Sequence, residues 1–145
     1  MTIPTTTLIP RLWSLRHEMQ RIMEELPDLW TGGLGGSSRL TPSEVAQLRE
    51  SLLTAEHLWQ FDTARRWLRR FPKAAAFPPW PRSSYGLKHV MEREAGGYCT
   101  NGTFIAAAVA EGFRIAPLDG GPNARINISK EAWKRSAGPP AALDP

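Results

Sequence analysis

The chain has 145 residues, 41% of them apolar, with six tryptophans, one cysteine and a formal charge of +4. That length supports one compact domain, or two small modules sharing a core, and the tryptophan content argues against a disordered polymer. No stretch reaches the roughly 18 apolar residues that spanning a membrane requires, Cys99 cannot form an internal disulfide, and His17, His57 and His89 show no metal-ligand spacing with one another or with Cys99.

Charge is unevenly distributed. Residues 1 to 62 hold five Lys/Arg against eight Asp/Glu, net −3, whereas residues 63 to 145 hold thirteen against six, net +7. A basic second half predicts an anionic partner, nucleic acid first; a solvated basic surface without a partner is the alternative. No basic region followed by an apolar run opens the sequence, so the expected compartment is the cytoplasm.

A first helix is expected from Pro10 to the residue before Pro27, with a seam of Leu12, Leu15, Met19, Ile22 and Leu26. Thr31 to Arg39, with four glycines and two serines, reads as a connector or mobile loop. Thr41-Pro42-Ser43-Glu44 then supplies an N-cap, a first-turn proline and a reciprocal acid. Val45, Leu48, Leu52, Ala55 and Trp59 form a second seam, so the two helices should pair as an antiparallel hairpin, within one chain or between the chains of a homodimer.

Asp62 or Thr63 can cap a short third helix, Ala64 to Phe71, with Ala64, Trp67, Leu68 and Phe71 on one face. Arg65, Arg66, Arg69 and Arg70 span roughly 140 degrees of the other face. Four arginines so close call for phosphates, or for pairing with Asp62 or with acids of the second helix. Pro72 to Arg82, ending in Pro78-Pro79-Trp80-Pro81, reads as an extended link anchored by Phe77 and Trp80; a proline-rich docking motif is its rival.

The stretch from Ser84 to Ser129 has the element order of a winged helix-turn-helix. Ser84 caps a helix with Leu87, Val90, Met91 and Ala95 inward, and Gly96-Gly97 ends it. Thr100 or Asn101 caps a second helix that buries Phe104, Ile105, Ala108 and Val109 and stops at Gly112. Two short strands, with Phe113 and Ile115 then Ala124, Ile126 and Ile128 inward, flank the turn-forming Asp119 to Asn123, and Ser129 caps a last short helix through Trp133.

If the second helix enters a major groove, Asn101 and Thr103 are its base readers, and Lys88, Arg114, Arg125 and the four arginines bind phosphates. Its outer face otherwise offers Ala106, Ala107, Ala110 and Glu111, which suits a protein partner or burial against the N-terminal hairpin. Cys99, beside a helix start and within possible reach of His89, is the one candidate nucleophile; a lone cysteine reads more simply as a small buried apolar group.

The strings Ser84-Tyr85-Gly86-Leu87-Lys88-His89, Tyr98 to Ala108, Gly112-Phe113, Pro122-Asn123 and Asn127-Ile128-Ser129 resemble a pattern in small proteins of phages and mobile elements, over about a third of the chain. The resemblance implies a mobile-element context, in which DNA handling, regulation and interference with host defence are usual tasks. It brings no activity or residue roles with it.

The expected fold is mainly α: an N-terminal helical part over residues 1–71, a Pro-rich link over 72–82, a winged helix-turn-helix-like module over 83–136 and a frayed tail over 137–145. The expected function is non-catalytic nucleic-acid binding, DNA first, without cofactor or metal. The alternatives are a protein-binding inhibitor or adaptor acting on nucleic-acid machinery, for example a CRISPR complex, and a subunit of a nucleoprotein assembly.

Overall fold

The seam of the first helix is realised in α1, Thr5–Glu25, in which Leu15, Met19 and Ile22 are buried and Leu12 half-buried. This computed structural model describes residues 5–79, 82–118 and 120–134; Trp80, Asp119 and the tail from Ala137 lie outside them. The helix begins before Pro10, which sits inside it and leaves the Thr6 carbonyl without its intrahelical donor.

The glycine-rich stretch, expected as a connector or mobile loop, contributes one strand of a small hairpin between α1 and the next helix. Leu29–Trp30 (β1) and Gly33–Leu34 (β2) pair antiparallel, and the loop is held from outside by hydrogen bonds. Leu34 N–H donates to the Pro122 carbonyl at 2.8 Å, and Gly102 N–H donates to the Thr31 carbonyl at 2.9 Å. Glycine is required by proximity: a Cβ on Gly33, whose φ is +144°, would overlap the Pro122 carbonyl, and one on Gly102 would overlap the carbonyl of Trp30.

The capping box forms, with Glu44 N–H donating to Thr41 Oγ1 at 3.1 Å and Thr41 N–H donating to Glu44 Oε1 at 3.0 Å. It opens a shorter helix than the seam predicts. Helix α2, Pro42–Glu50, runs into a 3-10 turn over Ser51–Leu53, and Thr54 is extended before α3, Ala55–Leu68, begins. The Ser51 hydroxyl donates to the Leu48 carbonyl at 2.6 Å and the Thr54 hydroxyl to the Ser51 carbonyl at 2.8 Å, local bonds that compete with helix continuation.

The break shifts the buried face. Leu48 and Ala55 of the expected seam are exposed, Leu52 alone is fully buried, and α2 has no buried residue. The face expected further on is correct: Ala64, Trp67, Leu68 and Phe71 are all buried. They belong to the end of one longer helix and the residues after it.

Helix α4, Ser84–Ala95, ends at Gly96 with φ +78°. Its N-cap is Ser83 rather than Ser84, whose fully buried hydroxyl instead accepts from Ala124 N–H at 3.0 Å. Helix α5 follows over Asn101–Ala110, capped by the Thr100 hydroxyl. The strands β3, Ile115–Pro117, and β4, Ala124–Ile126, pair antiparallel with Ile115 opposite Ile126, and α6, Lys130–Lys134, closes the described chain.

Helix α5 occupies the middle of the molecule. Every residue from Asn101 to Ala108 is buried, and the helix packs against α1, α3, α4 and the β1–β2 hairpin. An element apolar or small on all sides can be stable only there. One continuous apolar cluster runs from Leu15 through Phe61 and Phe104 to Trp133, so residues before and after the link share a single core.

The described start of the link is attached to the strand end. Lys73 bridges Ile128, Ala74 N–H donates to the Asn127 carbonyl at 2.7 Å, and the Asn127 amide donates back to the Ala74 carbonyl at 3.0 Å. The described residues thus form a mainly helical fold with two small two-stranded antiparallel sheets.

Candidate nucleic-acid interface

The end of α3 presents the expected arginine face, with a construction the sequence only half discloses. Asp62, 5% exposed, ion-pairs with Arg11 of α1 and with Arg66, the latter at 2.8 Å. Glu111, the C-cap of α5, takes Arg65 Nε at 2.8 Å and is gripped by Arg69 through two donors at 2.8 and 3.0 Å. The expected pairing with Asp62 is present; the other acid comes from α5 and not from α2.

Four guanidiniums thus share two carboxylates, and Arg70 beside them brings the local surplus to three positive charges. Arg66 and Arg69 remain 63% and 58% exposed at their side chains, and Arg70 is exposed with its guanidinium 5.9 Å from the Phe71 ring centre. The Arg69 hydrogen bond, helped by Arg65, holds the Glu111 carboxyl below its ordinary range against the opposing effect of burial. Between α1 and α3 lies a cavity of about 560 Å³ walled by Arg11, Asp62, Arg65 and Arg69.

The predicted base readers are turned inward. Asn101 is 6% exposed, and its amide nitrogen donates to the Gly32 carbonyl at 3.0 Å and to Asn123 Oδ1 at 3.0 Å. Thr103 is fully buried, with its hydroxyl 2.6 Å from that of Thr100. These side chains join the β1–β2 loop, the β3–β4 loop and the start of α5, so neither can address a groove. The alanine face is equally unavailable: Ala106 and Ala107 are fully buried and Ala110 half-buried, because α3 covers the helix. The face is buried within the chain, chiefly against α3 and also against α1.

The three other predicted cations come from α4, from β4 and from the residue after Phe113. Exposed Arg114 donates to the Ala75 carbonyl at 2.5 Å and lies 5.3 Å from the Phe77 ring, which fastens the link. Arg125 is half-buried, its Nε without a hydrogen-bond partner among the described residues. Lys88 is 3% exposed and faces a different cleft, of about 500 Å³, lined by Trp30, Tyr85, His89, Tyr98 and Asn123 among others.

Cys99 is 1% exposed, and burial pushes its thiol up to about 12, so it is not a poised thiolate. No group of three potential metal ligands occurs among the described residues, and no described helix is long and apolar enough to cross a membrane. Sequence reasoning missed Arg11 and Glu111 as parts of the arginine cluster. Their partners lie 51 and 46 residues away in the chain, and no local spacing marks them. No protein-family model matches the chain, and no curated protein or solved structure does either.

Proposed function

We propose that the protein binds nucleic acid non-catalytically, gripping phosphates with the arginine face at the end of α3. The observation that carries this is the surplus of three positive charges among five guanidiniums, four of them anchored on two carboxylates. Anchoring fixes the planar forks while leaving donors on their outer edges, so less side-chain freedom is lost when a phosphate arrives. The resemblance over residues 84–129 sets this activity in a phage or mobile element. With Asn101 and Thr103 committed to the interior, binding is expected to be indifferent to base sequence.

The test uses Arg66→Ala with Arg70→Ala, which leaves the Arg65–Glu111–Arg69 cluster intact. Fluorescence anisotropy with labelled duplex, at about 50 and 200 mM salt, should show weaker binding and a salt slope reduced by roughly one for each phosphate that is no longer neutralised. An unchanged affinity and slope in the double variant would remove the arginine face from the interface.

A further inference from the structure

The cleft around Lys88 is separate from the arginine face and has its own chemistry. Lys88 is buried among the residues of α4, yet its ammonium makes a single hydrogen bond among the described residues, a long one of 3.3 Å to Glu92 Oε2. Two ring faces, Tyr85 and Tyr98, each lie 5.1 Å from the nitrogen. An ammonium carries three donors, and burial makes leaving them unmatched costly.

The two tyrosines are 51% and 69% exposed, so both rings stand open to solvent beside the buried ammonium. Glu92 is divided among Lys88, His89 Nδ1 at 2.8 Å and the Cys99 N–H at 2.9 Å, so its charge is already answered. The N-terminus of α5 adds positive potential at the cleft wall, although the N–H groups of Gly102 and Thr103 are used internally.

We propose that this cleft binds a nucleotide carrying a terminal phosphate, with the base on the exposed tyrosine rings and the phosphate on Lys88. A cationic ligand is disfavoured because the Lys88 ammonium, 5.1 Å from each ring centre, would repel it. An apolar ligand would leave the ammonium donors unmet. A planar base with an attached anion satisfies both features, and the cleft volume of about 500 Å³ falls in the range of small-ligand sites. A free mononucleotide and the 5′-phosphorylated end of a single strand share this chemistry.

Calorimetry on the full chain with adenosine monophosphate, ribose 5-phosphate and a 5′-phosphorylated single-stranded oligonucleotide tests the assignment. Adenosine monophosphate should bind and ribose 5-phosphate should bind at least about tenfold more weakly, the value of one stacked base. Tyr85→Ala and Tyr98→Ala should each weaken binding by about tenfold; both rings are exposed, so the fold survives their removal. Competition by the oligonucleotide identifies a strand end as the source, and its absence a free nucleotide. The proposal is overturned if neither adenosine monophosphate nor the oligonucleotide binds at millimolar concentration, or if Tyr85→Ala and Tyr98→Ala both bind as the parent does. Arg66→Ala with Arg70→Ala should leave this affinity unchanged, so the cleft and the arginine face stand or fall separately.

Discussion

Arg49 shows what a single side chain contributes that no local pattern announces. Its guanidinium donates to the carbonyls of Met23 in the last turn of α1, of Leu26 just past it and of Leu29 in β1, at 2.6, 3.0 and 2.7 Å, tying the exit of α1 to a helix 20 to 26 residues further on. The last carbonyls of a helix have no intrahelical donors and carry partial negative charge, so a cation with several donors is well suited there. Arg49→Ala should cost about 2–3 kcal/mol in urea unfolding, and Arg49→Lys should recover only part of it, because an ammonium cannot reproduce the fork. Full stability in Arg49→Ala would show that water replaces the guanidinium without loss. Thr41 and Glu44, by contrast, were legible because both partners of the capping box lie within one turn.

At the scale of elements, the sequence reveals where helices start better than which face they bury. Thr41, Thr100 and Gly96 mark ends through chemistry confined to a few residues. The seam through Leu48, Leu52 and Ala55 fails because a hydroxyl-bonded turn at Ser51 and Thr54 resets the helical phase, and residue spacing cannot register that reset. Helix α5 held a clue in composition: Gly102 to Ala110 has Thr103 as its only polar side chain, which is the pattern of an element enclosed on all sides. Ala107→Leu therefore tests burial directly. Overpacking a fully enclosed site should destabilise the fold by about 1–3 kcal/mol, read as a lower melting temperature. An unchanged melting temperature would mean that the alanine face can open after all.

For the whole molecule, the uneven charge is resolved where distant parts of the chain meet. The acidic first half supplies Asp62 and the basic second half supplies Glu111; Asp62 collects guanidiniums from either side of it in sequence, and Glu111 reaches back 42 to 46 residues for its own. Because the Glu111 carboxyl titrates lower when folded than when unfolded, its contribution is fully present above the unfolded value of roughly 4.3 and is lost as pH falls through the folded value. Glu111→Gln should thus be less stable near pH 7 by about 1–2 kcal/mol, with the gap closing below about pH 4. The same change releases Arg65 and Arg69 and raises the local surplus from three positive charges to four. Duplex binding at low salt should therefore hold or tighten while the fold weakens, since added positive charge strengthens phosphate attraction. Losses in both would make Glu111 essential for shaping the interface, and the excess charge would then be secondary to the geometry of the forks.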